Sequence, residues 1–488
     1  MPAALVESGW QVTVITPSYG IFHDLPGATI LGTVDAGFRG ATQIVDVYEV
    51  PGSEPRVRNI AFEHPVFSPL GPGKIYCGDE PERPFATDAN KFAFFGAAAA
   101  AWIEQSPNRP EVVHLHDWHA AFYLLQRNFA PEFVRLRDIR TVFTIHNLAY
   151  QGTRPLRADE SSLESWFPDL NYDVTLLRDP ANTDCINPMA LAIRSADKIS
   201  TVSPTYATEI RQPSDKARGF VGGEGLEVQL DDAAKADRLV GILNGCVYRG
   251  KSGRRPAWKR IVTLATDQVT AWLESEPGAV DQELARSRLA ALPDERPEQV
   301  LVSIGRLVRQ KMSLFFEELV DGRTTLEQIA AQLGHNGKFI LLGSGEAELE
   351  QRVLEIAKRC EQLIFLRGYS ETLADPLYRG GDLFLMPSSF EPCGISQMLA
   401  MRAAQPCVVH GVGGLRDTVE HDRTGFVFAG NTPGEQAAEF VTTVQQALAL
   451  KANDADRWQR ICIRAASQRF GWEQSAQQTV EHLYGFAD

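Results

Sequence analysis

The chain has no run approaching the ~18 consecutive apolar residues of a membrane span, which argues against a helical membrane protein. Its start, MPAALVESGW, lacks a basic segment followed by an apolar one, so no secretory leader is expected. Cysteine is sparse: seven are scattered through 488 residues, with no Cys-x-x-Cys pair. Such usage fits reduced thiols in the cytoplasm rather than a disulfide framework. Basic residues are outnumbered, 48 Lys and Arg against 62 Asp and Glu, for a net charge of −14. That balance argues against nucleic acid as a partner. Any anionic substrate must then be met by locally placed Arg, Lys or backbone N–H groups. No sequence repeat stands out.

What is present is an ordinary globular composition, 44% hydrophobic and 23% charged, in a chain too long for one core. Two domains of roughly 200 residues are expected. Short Val-, Ile- and Phe-rich runs predict strands at Gln11–Thr16, Val112–His116, Thr141–Ile145, Lys198–Val202 and Leu239–Leu243. The second half adds Val300–Ile304, Phe339–Leu342, Ile364–Leu366, Leu383–Met386, Cys407–His410 and Gly425–Phe428. Helical stretches such as Asn90–Gln105 and His119–Asn128 lie between them, so the pattern is α/β with parallel sheets. Ala28–Phe67 alternates over shorter pieces and predicts a hairpin excursion. Asn431 or Thr432 before Pro433 reads as a helix start. The polar stretch Arg249–Arg296 reads as linker plus peripheral helix. Two doubly wound domains would place a ligand in the cleft between them, at the carboxyl ends of the strands.

The chemistry concentrates in Leu383–Thr418, LFLMPSSFEPCGISQMLAMRAAQPCVVHGVGGLRDT. A strand ends at Pro387 and a loop presents Glu391 ahead of a helix beginning near Ile395. A carboxylate there suits the helix dipole and can hold two sugar hydroxyls, or it can simply cap the helix. After the next strand, Gly413, Gly414 and Leu415 either let backbone N–H groups approach a diphosphate or form an ordinary turn. Arg306 and Lys311, in IGRLVRQK at a strand end, could clamp phosphates and stabilise a departing diphosphate. Arg309 reads as solvated. In the first half His114, His116, Asp117 and His119 cluster in HLHDWH, and His146 ends the neighbouring strand. Alternating histidines can ligate a metal, but no carboxylate or cysteine stands at metal spacing to them. No Asp-x-Asp closes a strand; Asp454-Ala455-Asp456 falls in a polar helical stretch. This weakens the case for metal-dependent sugar transfer.

Together these pieces resemble bacterial glycogen synthase and plant starch synthase, the glucosyltransferases that use ADP-glucose. The matching strings are HLHDWHAAF, TVFTIHNLAYQG, ADKISTVSPTYATEI, GILNG, LVSIGRLVRQK, ILLGSGEAELE, GYSETLADPLYRGGDLFLMPSSFEPCGISQ and GGLRDTV, spanning residues 112–419 in the family's order. The resemblance implies a GT-B architecture of two facing Rossmann-like domains, with no metal or cofactor. It implies transfer of glucose to an α-1,4-glucan such as glycogen, with retention of configuration. The expected division is an N-terminal domain at 1–244, linker and peripheral helices at 245–298, a nucleotide-sugar domain at 299–470, and a last helix at 471–488 crossing back. By the same resemblance Arg306 and Lys311 meet the donor diphosphate, Glu391 the donor glucose, and the N–H groups around Gly413–Leu415 a phosphate. Cys393, Gly394 and Thr418 also fall on the donor side, and Tyr369 near the adenine. His146 meets the transferred glucose, while Asp117 and Asn244 line the N-terminal side.

The chain departs from the family pattern at several points. Asn244-Gly245-Cys246-Val247 stands where the family has Asn-Gly-Ile-Asp or Asn-Gly-Val-Asp, so an acidic residue is missing; the basic YRGKSGRRP replaces a Trp-Asn-Pro string, Ser389 replaces an arginine, and Met312 a glycine. Position 398, seven beyond Glu391, is Met, so the paired-glutamate pattern of wider GT-B transferases is incomplete. The family's N-terminal Lys-x-Gly-Gly loop is absent, and PAALVESGWQVTVIT reads as the end of a helix, a turn at Gly9 and a strand. A start lying downstream of the family's first strand is therefore expected, with little or no activity from the chain as written. A transferase making a small glucoside and a catalytically silent glucan-binding relative are the alternatives to a glucan synthase.

Overall fold

The computed structural model describes residues 1–248 and 255–485; residues 249–254 and Phe486, on which parts of the linker and last-helix readings fall, lie outside the described residues. The chain divides into two compact units. The first comprises Met1–Ser214, Gly222–Gly245 and Trp472–Asp488, and the second Asp215–Val221 and Cys246–Gly471.

The first unit holds β1 (Val12–Pro17), β2 (Thr29–Phe38), β3 (Ala41–Val50), β4 (Val57–Glu63), β5 (Val112–His116), β6 (Arg140–Ile145), β7 (Arg154–Pro155), β8 (Cys185–Ile186), β9 (Lys198–Thr201) and β10 (Leu239–Gly241). They form four-stranded sheets ordered β1-β4-β3-β2 and β10-β9-β6-β5, with β7 paired to β8. The predicted excursion is the β2–β3 hairpin with β4 returning antiparallel to β3. Its turn uses Arg39 and Gly40, both at positive φ, as a two-residue hairpin loop requires. The β5, β6, β9 and β10 neighbours are all parallel. The alanine run of the helix Ala86–Gln105 is buried almost throughout, because small side chains let it lie close against the helix Asp117–Phe129. The closing helix, Trp472–Thr479, packs Ala476 in one apolar cluster with Leu5, Val142 and Ile242.

The second unit carries β11 (Gln299–Ile304), β12 (Gly337–Gly343), β13 (Leu363–Arg367), β14 (Leu383–Met386), β15 (Cys407–His410) and β16 (Phe426–Phe428). They form one parallel sheet ordered β13-β12-β11-β14-β15-β16, a doubly wound order that reverses between β11 and β14. Alternate strand residues serve opposite faces. Leu301, Phe339, Leu341 and Leu385 pack beneath the helices Thr325–Gln332, Ala347–Arg359 and Pro433–Asn453. Val302, Ile340, Leu342 and Phe384 meet the helices Trp258–Ser275 and Val280–Ala290 on the other face. Thr432 caps the helix at Pro433, its side chain accepting from the Glu435 N–H.

Beside the N-terminal end of β14 sits a buried carboxylate. Asp382 takes Arg255 and Arg296 at 2.7 Å each and Lys451 at 2.9 Å, and accepts the Val300 N–H. Burial pushes this carboxyl up, but the attraction of Arg296, Lys451 and Arg255 outweighs it and leaves the pKa below its ordinary value. Arg255 belongs to the basic segment by which the sequence departs from the family pattern. Here it serves the fold.

Candidate functional site

In the second unit the reversal point of the sheet opens a cavity lined by Gly305, Arg306, Lys311, Met386, Pro387 and Ser388. It lies where the chain leaves β11 and β14, the place at which doubly wound sheets take ligands. Arg306 is exposed, with no side-chain hydrogen bond or ion pair among the described residues. Lys311, on the one-turn helix Arg309–Met312, reaches Glu391 with its Nζ 2.8 Å from Oε2. Ser388 Oγ donates to the same oxygen at 3.0 Å. The helix that follows, Ser396–Arg402, has no side-chain cap, so Glu391 does not serve as one.

The loop bearing Glu391 is held on three sides. Gln310 Nε2 donates to the Phe390 carbonyl at 2.9 Å, and the Ser389 N–H and hydroxyl both donate to the Gln310 carbonyl. His410 Nδ1 lies 3.0 Å from the Ser388 carbonyl, and burial keeps that imidazole below its usual pKa. A neutral ring donating Nδ1–H fits both observations. The Gly414 N–H donates to the Glu391 carbonyl at 3.0 Å. These supports, Ser388, Gln310 and His410, were not singled out from sequence.

The glycine pair has a visible packing reason. A Cβ on Gly413 would stand 1.9 Å from the Glu391 carbonyl oxygen, and one on Gly414 2.2 Å from that of Cys393. Of the N–H groups expected near a phosphate, that of Gly414 goes to Glu391 and that of Leu415 to the Val412 carbonyl. Thr418 is buried, its hydroxyl donating to the Gly414 carbonyl and accepting from Gln397. Cys393 is buried beside Gly394, which has a φ of +76°. Tyr369 is 79% exposed and free to stack. Gly414→Ala is expected to lower the thermal midpoint, because backbone cannot yield as a side-chain tip does and overpacking costs about 1–3 kcal/mol or more. Gly434→Ala, with nothing within 4 Å of the new methyl, is the control and should leave the midpoint unchanged or raised.

In the first unit β5 and β6 lie side by side, His116 opposite Thr144. The loop after β6 carries His146, whose backbone N–H donates to Asp117 Oδ1 at 2.7 Å. The Asn147 N–H approaches the same oxygen at 3.4 Å. Asp117, held at a φ of +55°, thus anchors the loop through Oδ1. His146 Nε2 lies 3.0 Å from His116 Nδ1. Asn244 is half-buried, with its N–H approaching the Val202 carbonyl. His114, weighed above as a metal ligand, has both ring nitrogens engaged, with Tyr484 and Thr144. Among the described residues no group of His, Cys, Asp or Glu is arranged to hold a metal.

A family model described as the starch synthase catalytic domain matches residues 1–231, and one described as glycosyl transferases group 1 matches residues 298–448. The glycogen synthase of Gloeobacter violaceus is 31% identical over 99% of this chain and 92% of its own length. That of an Anaeromyxobacter species is 34% identical over 99% and 94%. The chain belongs to the glycogen and starch synthase family. It is a glycosyltransferase of GT-B fold, built from two Rossmann-like units. The catalytic domain of starch synthase IV from Arabidopsis thaliana, solved with ADP and acarbose, matches with a TM-score of 0.73 and 27% identity, covering 99% of this chain and 93% of that one. A sucrose-phosphate synthase from Thermosynechococcus elongatus shares the fold alone, at a TM-score of 0.55 and 17% identity.

Proposed function

We propose that this glycosyltransferase transfers glucose from ADP-glucose to the non-reducing end of an α-1,4-glucan of the glycogen type, with retention of configuration, in the cytoplasm. The observation that carries the reading is the cationic cavity at the sheet reversal, with Glu391 held at its edge by Lys311 and Ser388. An exposed arginine and a half-buried lysine suit a nucleoside diphosphate, and full-length similarity to glycogen synthases supports a glucan acceptor. The cysteines form no disulfide among the described residues, in keeping with a reducing compartment.

Arg306 and Lys311 neutralise the diphosphate and its charge as it departs, without a metal. Glu391 holds donor glucose hydroxyls through strong charge-assisted hydrogen bonds. His146 meets the transferred glucose, and Asn244 lies on the acceptor side. Tyr369 offers its ring to the adenine, and the Gly413–Leu415 turn keeps the Glu391 loop against the phosphate side. Departure of the diphosphate and attack by the glucan hydroxyl occur on one face of the sugar, the leaving diphosphate taking the acceptor proton.

Incubation with labelled ADP-glucose and either glycogen or small acceptors tests the proposal. Label in the polymer supports it; label in a small glucoside, or none at all, favours the other two readings. Arg306→Ala or Lys311→Ala should weaken donor handling far more than glucan binding, because their targets are the phosphates. The acidic chain offers little to compensate. Calorimetric titration with ADP and with a maltooligosaccharide separates the two effects, and loss of glucan affinity alone would contradict the assignment.

A further inference from the structure

His146 is anchored twice in the first unit. Its backbone is fixed by Asp117 and its ring by His116, through the 3.0 Å contact between His146 Nε2 and His116 Nδ1. His116 is in turn backed by His114, two residues earlier on the same side of β5. The two rings stack with centroids 4.5 Å apart and planes 20° from parallel. His114 cannot rotate away without breaking bonds, since its Nδ1 lies 3.0 Å from the Tyr484 hydroxyl and its Nε2 2.6 Å from Thr144 Oγ1. Thr144 Oγ1 is itself 2.6 Å from Ser200 Oγ. Burial first, and the nearby His146 second, push the His114 pKa down to about 3, so this backing ring stays neutral. The column therefore runs from a fixed, uncharged plate through His116 to His146.

We propose that His116 is a positioning residue for His146, setting the orientation and tautomer of its ring; the inference rests on the reading of His146 as the group that meets the transferred glucose. One proton lies in the bond between Nε2 and Nδ1, so the tautomers of the two imidazoles are tied together. Whichever nitrogen donates there decides whether His146 Nδ1 presents a proton or a lone pair to a sugar hydroxyl. A ring left free to turn would sample poses in which that contact is lost, and small misplacements near a reacting centre cost large factors in rate.

His116→Phe keeps a ring for the stack and removes the Nδ1 partner, while His116→Asn returns an amide near that atom's position. The phenylalanine variant should lose at least ~10-fold in kcat with KM for ADP-glucose changed less than ~2-fold, and the asparagine variant should recover most of the loss. ¹⁵N spectra of histidine-labelled protein give a readout independent of turnover. The His146 nitrogens, identified by their disappearance in His146→Gln, should shift in His116→Phe and lie near their original positions in His116→Asn. Unchanged His146 shifts in the phenylalanine variant, or unchanged kcat, would overturn the proposal. Should that variant not fold, His116→Leu supplies the same comparison. If the unaltered protein transfers no glucose, the reading of His146 fails, while the ¹⁵N comparison still decides whether His116 holds its ring.

Discussion

Glu391→Ala is expected to cut turnover by at least ~100-fold, a loss of about 3 kcal/mol in transition-state stabilisation. Glu391 is 7% exposed and its Oε2 takes both Lys311 and Ser388, which leaves Oε1 to accept from a donor hydroxyl. Removing it deletes the acceptor of a charge-assisted bond and leaves Lys311 without its partner. Glu391→Gln keeps the shape and the serine contact but not the charge, and should fall between the alanine variant and the unaltered protein. Thermal midpoints of the three proteins report whether the loop still packs on Gly413 and Gly414. Near-normal turnover in Glu391→Ala would reduce the residue to a loop anchor.

The largest expected effect on stability lies at Asp382. Replacing it with alanine leaves Arg255, Arg296 and Lys451 facing one another without their shared acid. Breaking a buried ion set by removing one partner costs about 3–5 kcal/mol. The cations keep 47%, 25% and 20% of their side chains exposed and can partly rehydrate, which places the loss at the lower end. The sign with pH follows from the lowered pKa of Asp382. A carboxylate stronger in the folded than in the unfolded state adds stability at neutral pH and loses it as pH falls through the folded pKa. Denaturant unfolding should therefore show a wide gap between the unaltered protein and Asp382→Asn at neutral pH, narrowing in acid. A gap that is absent at neutral pH, or that widens in acid, would contradict this account of the cluster.

The parts of the fold that were legible are those written locally. The runs VVHLH, LFLM and CVVH end at a polar residue or proline, and the strands stop within a residue or two of the expected positions. Thr432-Pro433 marks a helix start by side-chain chemistry alone. The stretch after residue 248 reads from its charge and proline content as linker plus peripheral helix, and a helix is there, Trp258–Ser275. It is less peripheral than the charges suggest: Trp258, Ile261, Ala265, Val269 and Leu273 recur at helical spacing and bury against the sheet. The site was legible only in part. Arg306, Lys311 and Glu391 stand at strand ends, where chemistry is expected. Their supports do not: Gln310 and His410 act on backbone carbonyls of residues distant in sequence, and Ser388 on the Glu391 carboxylate three residues on across a loop, contacts that no periodicity records. His116 was visible as one of a histidine group, but its link to His146 depends on two strands lying in register.

Following glucose from ADP-glucose into glycogen and reading the new linkage tests the glucan synthase assignment. Labelled donor is incubated with the protein and glycogen, ADP release is counted against label incorporated, and the polymer is digested by an exo-acting hydrolase specific for α-1,4 bonds. One ADP is expected per glucose incorporated, with the label freed by that digestion and Glu391→Ala at least ~100-fold slower in both release and incorporation. Label confined to a small glucoside, or label resistant to the α-1,4-specific hydrolase, would contradict the assignment.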